Sequence, residues 1–228
     1  MNMTLSRRNL LLGAAAASVA FAGSANAQSR TDIRPQTPDG QPMPEPPADK
    51  TAGPVRPGRG TALAGKAAVV TGATRGIGRA TAVELAANGA DVVALDIAGP
   101  VSSASNATPE ELDETVRQIQ SRGRRTNAVR AHIRDISALR SVADQVERDF
   151  GKIDIVVANA ANQRWRPLLE MQDADWRDVI DNNLNGTANT VRALAPKMVA
   201  RKKGRFILLS SMQGKHRTKD ASSYSASK

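Results

Sequence analysis

The chain has 228 residues, a formal net charge of +10, no cysteine, two histidines and 3% aromatic residues. That length suits one domain plus an extension. Without Cys there is no disulfide framework and no thiolate chemistry, His132 and His216 lack metal-ligand spacing so no metal site is assigned, and the scarcity of aromatics beside the basic residues speaks against nucleic-acid binding.

Residues 1–27 read as an address and not as part of a fold. Ser6-Arg7-Arg8-Asn9-Leu10-Leu11 precedes an apolar run of thirteen residues, Leu10 to Ala22, too few to span a bilayer, which takes about twenty. Ala25-Asn26-Ala27 supplies a small-x-small cleavage site. The pattern resembles a twin-arginine (Tat) signal, although Leu10 and Leu11 stand where Phe and Lys are commoner. It implies the Tat translocase as a partner and a periplasmic or extracellular location. Residues 28–60 hold eight of the twelve prolines and too few apolar residues for a core, which predicts an extended, semi-rigid linker.

A domain is expected over 61–228. Ala67-Ala68-Val69-Val70 reads as a short buried strand. Thr71-Gly72-Ala73-Thr74-Arg75-Gly76-Ile77-Gly78 follows, and then a helical stretch with apolar Ala82, Leu85 and Ala86. Strand, glycine-rich turn and helix together make a pyrophosphate cradle: Gly72 for the tight turn, Gly76 for room at the phosphates, Gly78 for close helix–strand packing. A second strand, Asp91 to Asp96, ends in a carboxylate 24 residues after Gly72. An acid at that spacing accepts the adenosine ribose hydroxyls and repels a 2′-phosphate, which favours NAD over NADP; the cation of Arg75 pulls the other way.

The alternation continues. A helix is predicted from Pro109 to Gln120 with Thr108 as N-cap, a strand over Thr126 to Ile133, a helix from Ser137 to Phe150, a strand from Ile153 to Ala158, one long helix from about Asp173 to Ala200, and a strand from Arg205 to Ser210. Nine Lys/Arg against one acidic residue in 197–228 read as a solvated helix end near Arg201, Lys202 and Lys203. Apolar strands alternating with amphipathic helices mean an α/β fold, a doubly wound parallel sheet with helices on both faces. Tyr224-Ser225-Ala226-Ser227-Lys228 contains the only tyrosine. Tyr and Lys four apart share a helix face, where the ammonium favours phenolate over phenol and makes a base near neutral pH.

These motifs, in this order and register, resemble the short-chain dehydrogenase/reductase family over residues 64–228: T-G-A-T-R-G-I-G, Asp96, A-N-A-A at 158–161, Asn183 in N-N-L-N-G, Ser211 in L-S-S-M-Q-G, and Y-S-A-S-K. The resemblance implies a Rossmann fold and an oxidoreductase that interconverts an alcohol and a ketone or aldehyde. It implies Tyr224 as general base or acid, Ser211 as the bond to the substrate oxygen, Lys228 as the group that tunes the tyrosine and binds the nicotinamide ribose, and Asn183 in a water-mediated relay to Lys228. The cofactor would meet Thr71, Gly72, Thr74, Arg75, Gly76, Ile77, Gly78, Asp96, Asn159, Ala160, Tyr224 and Lys228. A small-molecule substrate and a homo-oligomer are implied partners.

Some positions depart from the family. Ala158 and Ala161 replace the Asn and Gly of the usual N-N-A-G, and His132 stands where many members have an Asp near the adenine, leaving that contact to Ile133 or its backbone. Residues 97–108 resemble the insertion of the mycofactocin-coupled branch, whose NAD is held without exchange. Arg164, Trp165, Arg166, Gln213, Lys215 and His216 are expected to border the pocket and hint at a polar or anionic substrate. Members normally continue past Y-x-x-x-K, so the sheet is expected to be incomplete at the C-terminus and the chain a fragment or a truncated protein. The strand at Phe206 to Leu209 would then be an unpaired apolar edge and Lys228 a frayed end. Two rivals stay open: an NADP-dependent reductase of the oxoacyl-carrier type, and a truncated non-catalytic nucleotide-binding module.

Overall fold

A computed structural model describes residues 60–102, 105–216 and 218–228. The signal expected over 1–27 and the linker of 28–60, Gly60 apart, lie outside the described residues.

The chain enters the fold at β1 (Ala67–Thr71), α1 (Gly76–Ala87) and β2 (Asp91–Asp96). A small antiparallel pair follows, β3 (Pro100–Ser102) and β4 (Ser105–Asn106), inside what the sequence presents as a plain insertion. Next come α2 (Pro109–Gln120), β5 (Thr126–Arg130), α3 (Ile136–Phe150) and β6 (Ile155–Ala158). The series continues with α4 (Asp173–Ile180), α5 (Gly186–Ala200), β7 (Arg205–Leu208) and α6 (Ser222–Ser227). Five strands form one parallel sheet in the order β5-β2-β1-β6-β7. Strand order reverses between β1 and β6, the point at which a doubly wound sheet opens a crevice beyond its carboxyl ends.

Strand pleating sorts the core into two layers. Val69, Val93 and Val156 face one way and pack with Leu139, Val142 and Val146 of α3 and Leu194 and Met198 of α5. Ala68, Val70, Val92, Ala94 and Val157 face the other way, against Ala82 and Ala86 of α1 and Leu112 and Ile119 of α2. Every residue of β1 and β2 is buried, as strands covered on both faces must be. β7 forms an edge, pairing with β6 alone, and leaves Ile207 and Leu208 exposed.

Local signals account for the helix starts. Thr108 Oγ1 accepts from the Glu111 N–H and Glu111 Oε2 accepts from the Thr108 N–H, a complete capping box. Asp135 caps α3, its Oδ1 accepting from Ser137 N and Ala138 N at 2.9 Å, so α3 starts one residue earlier than predicted. Three strands end or begin short of expectation: β5 stops at Arg130, β6 starts at Ile155 and β7 stops at Leu208. The single helix expected over 173–200 is interrupted by a π turn, Asp181–Asn185, where the Gly186 N–H reaches back to Asp181 O. Both Asn182 and Asn183 lie inside at this wider turn, at 6% and 2% exposure.

The amino end of the sheet is tied by carboxylates. Asp91 accepts from Arg124 at 2.7 Å and from the side chain and backbone of Arg125 at 2.9 and 3.1 Å, while Asp154 accepts from Ala67 N. Burial raises the Asp91 pKa, but the bonds from Arg125 and Arg124 outweigh it and hold the carboxyl below its ordinary value. A depressed carboxylate pKa stabilises the fold fully above the unfolded value, about pH 4, and loses that contribution as pH falls through the folded value. Asp91→Ala is expected to cost about 3 kcal/mol at neutral pH. In urea melts across a pH series, the gap between parent and variant should close below about pH 4.

Candidate active site

The crevice is built by side chains that answer peptide groups where the strands end. At the end of β1 the hydroxyl of Thr71 donates to Val157 O at 3.4 Å and accepts from Asn159 N and Ala160 N at 3.0 and 3.1 Å. The Asn159 amide returns the tie, donating to Thr71 O at 3.0 Å and Gly72 O at 3.2 Å. Gly72 turns away with φ +70, and α1 then passes so near that a Cβ on Gly78 would stand 1.9 Å from Gly72 O. Only a residue without a side chain permits that approach.

Asp96 closes the second wall. Its Oδ2 accepts from Thr74 N at 3.0 Å and its Oδ1 from Ala98 N at 3.1 Å. Ala98, fully buried, holds a left-handed φ of 44 to aim its N–H there, a strain of the kind stored at functional sites. Behind the turn, Thr115 Oγ1 donates to Ala73 O at 2.9 Å, and Arg79 bonds Thr74 O, Glu111 O and Thr115 Oγ1. Sequence reasoning missed Arg79 and Thr115, because the first reads as a helix-surface cation and the second as an ordinary mid-helix residue.

Between these walls lies a cleft of about 310 Å³, lined by Gly72, Arg75, Gly76, Ile77, Gly78, Asp96, Ile97, His132, Ile133, Asn159, Ala160 and Asn162 among others. The space above Gly76 is open, with nothing within 4 Å of where a Cβ would sit. Open room at a helix N-terminus, with a carboxylate on the neighbouring strand, fits a dinucleotide. Thr71 and Thr74, expected as cofactor contacts, are buried at 1% and 0% exposure and hold the turn from behind. His132 accepts from Arg134 N through Nδ1, and burial together with the Arg134 charge lowers its pKa, so it meets the cleft as a neutral ring.

None of Asn183, Ser211, Tyr224 and Lys228 lines that cleft; Asn183 and Lys228 border a second hollow beside α5 and β7. The segments that carry these four are joined through neighbouring residues. Asn183 Nδ2 donates to Ser227 Oγ at 2.9 Å, and Ser210 Oγ, next to Ser211, donates to Lys228 O at 2.9 Å. Ser211 itself starts a 3-10 turn (Met212–Gly214), accepting from Gln213 N at 3.2 Å. Lys228 Nζ lies 5.7 Å from the Tyr224 ring centroid and donates to Leu209 O at 3.0 Å, and burial lowers its pKa. The lysine is therefore anchored by its own ammonium, a contact the expectation of a frayed residue leaves out.

The side chain of Asn183 is filled: it donates to Asn162 O and Ser227 Oγ and accepts from Asn162 N and Asn182 Nδ2. Its amide braces the junction of the π turn, the β6 loop and α6. The pocket expectation for Arg164 and Arg166 also changes. Arg164 pairs with Asp178 at 2.9 Å and Arg166 lies 3.7 Å from Asp175, so α4 supplies the counter-charges that an anionic substrate would. Ser227 and Asn162 carry bonds no motif announced, although a hydroxyl three residues after Tyr224 could have been read as a helix back-bond.

Comparison with known proteins agrees with this geometry. The profile of the short chain dehydrogenase family matches residues 66–228. An uncharacterised NAD-dependent oxidoreductase of Mycobacterium tuberculosis is 47% identical over 175 residues, covering 75% of this chain and 63% of the relative. The (-)-trans-carveol dehydrogenase of Rhodococcus erythropolis is 36% identical over 169 residues, covering 72% and 61%. The crystal structure of carveol dehydrogenase from Mycobacterium avium in complex with NAD superimposes with a TM-score of 0.69 at 38% identity, again over 72% and 61%. The chain thus spans somewhat over six-tenths of the length of these proteins. With its profile matched from residue 66 to residue 228, the chain belongs to the short-chain dehydrogenase family.

Proposed function

We propose that the chain carries the cofactor half and the catalytic Tyr–Lys helix of an NAD-dependent oxidoreductase that interconverts a secondary alcohol and a ketone. The observation that carries the cofactor choice is Asp96, at the cleft lip with Thr74 N–H and Ala98 N–H as partners. Peptide donors leave its charge uncancelled, so it can accept two ribose hydroxyls and repels a 2′-phosphate. The NAD-dependent relatives support the same choice. Arg75, also at the cleft, favours the NADP reading and is outweighed because it is exposed while Asp96 is buried.

Bound NAD would accept the hydride taken from the alcohol carbon. The chain does the rest. The glycine turn and the N-terminus of α1 hold the pyrophosphate, Ser211 holds the substrate oxygen, and Tyr224 takes the hydroxyl proton in oxidation and returns it in reduction. Lys228 Nζ, held by Leu209 O, stands 5.7 Å from the centre of the Tyr224 ring, where it can meet the nicotinamide ribose. The carveol dehydrogenases point to a cyclic terpenoid alcohol as the first substrate to try. Export through the Tat route rests on Arg7, Arg8 and the Ala25–Ala27 site. The β3–β4 hairpin, with Ile97 and Ala107 at the cleft, suits a cap over the adenosine end and slow cofactor exchange, as the mycofactocin-type insertion implies. A homo-oligomer belongs to the same proposal.

In the full-length protein, Tyr224→Phe is expected to lower kcat with carveol by about 10²–10⁴-fold while the calorimetric Kd for NAD stays within about twofold of the parent; retained turnover would discard the tyrosine's role. The parent should bind NAD at least about tenfold tighter than NADP, and Asp96→Ala should remove most of that preference, measured as a ratio of dissociation constants. A parent that prefers NADP contradicts the assignment of Asp96.

A further inference from the structure

α6 spans six residues, and its N-cap residue, Ala221, makes no side-chain cap. So short a helix does not hold itself in water, and what fixes it in place decides where Tyr224 points. Ser227 stands at the centre of that fixing. Its Oγ donates to Tyr224 O at 2.8 Å, back along its own helix, and accepts from Asn183 Nδ2 at 2.9 Å, across to the π turn. Behind Asn183 the frame is rigid. Asn162 holds the amide through its N–H and its C=O, each at 2.9 Å, and Asn162 Nδ2 donates to Asp178 Oδ2 at 2.8 Å. Asp178 is in turn gripped by Arg134 and Arg164. A continuous set of bonds thus runs from two guanidinium groups to the backbone of the tyrosine.

We propose that the hydroxyl of Ser227 is a positioning group, the peg that docks the Tyr224–Lys228 helix onto Asn183. Other ties to this end of the chain, Ser210 Oγ to Lys228 O and Lys228 Nζ to Leu209 O, both reach Lys228. Ser227 alone among these reaches the tyrosine's own carbonyl. Without it, Asn183 keeps a buried donor with no partner, and the C-terminal turn of α6 loses the lateral tie that reaches Tyr224. The two effects act together to loosen the phenol relative to the substrate oxygen. A displacement of about 1 Å at a reacting group is enough to cost about 10²-fold in rate.

The consequence for turnover rests on the oxidoreductase reading; the tether does not. The full-length protein, Ser227→Ala, Ser227→Thr and Tyr224→Phe should be compared by amide hydrogen exchange over 222–228 and by kcat and KM with NAD and carveol. Ser227→Ala is expected to speed exchange in 222–228 and to lower kcat by about 10–100-fold with little change in the carveol KM. Ser227→Thr, which keeps the hydroxyl, should recover both, and Tyr224→Phe should lose turnover with parent-like exchange. Unchanged exchange in Ser227→Ala overturns the peg, as does a Thr variant that exchanges no more slowly than Ala; a kcat that does not fall beside faster exchange overturns its consequence for turnover. Turnover surviving in Tyr224→Phe would discard the tyrosine's role only, a parent that turns over no alcohol with NAD would sink the oxidoreductase reading, and the exchange comparison would decide the tether in either case.

Discussion

Where parallel strands end, their peptide groups lose the ladder that paired them, and in a low-dielectric crevice an unpaired N–H or C=O is costly. The structure around the cleft follows from how this chain meets that constraint. Buried polar side chains take up the loose peptide groups: Thr71 and Asn159 between β1 and β6, Asp96 and Thr115 around the glycine turn, Asn183 between the π turn and the β6 loop. Each fixes a stretch of backbone, and the fixed backbone is the wall of the site. The cleft is thus shaped before any ligand arrives, which is what binding with little ordering cost requires.

The two ends of the sheet use carboxylates in opposite ways. At the amino end, Asp91 and Asp154 face arginine and lysine side chains, and their charge is spent on holding the fold. At the carboxyl end, Asp96 faces only peptide N–H groups in the bonds it makes, so it is held in place with its charge intact. One residue type at two edges of the same sheet therefore does structural work in one place and offers recognition in the other. The polar frame of Asp178, Asn162 and Asn183 extends this division: the ion pairs of Asp178 with Arg134 and Arg164 are joined through Asn162, at the cleft, to Asn183 and so to the short helix α6.

Much of this was legible in the sequence. The glycine turn, the buried run of β1 and the N-cap at Thr108 are short-range signals, each written within a few consecutive residues, and they stand where expected. Asp96 was legible by spacing, since strand length and turn length fix the distance from Gly72. The π turn was not legible: the apolar periodicity of 173–200 reads as one helix, and the bonds that hold the turn inward run from Asn183 to Asn162 and Ser227 in other segments. Ser227, Asn162, Arg79 and Thr115 share that difficulty. Their roles are bonds between segments 20 to nearly 50 residues apart, and nothing in their immediate neighbours announces the partner. Arg164 and Arg166 misled for the same reason, because the carboxylates that engage them lie on α4.

The most direct measurement is a crystal structure of the full-length protein with NAD. A pre-formed site requires both adenosine ribose hydroxyls within about 3.2 Å of the Asp96 carboxylate and the backbone of 71–78 within about 1 Å of its present course. A nucleotide bound elsewhere, or a turn rebuilt around it with Asp96 swung away, would contradict the view that the strand ends are locked in advance for this ligand.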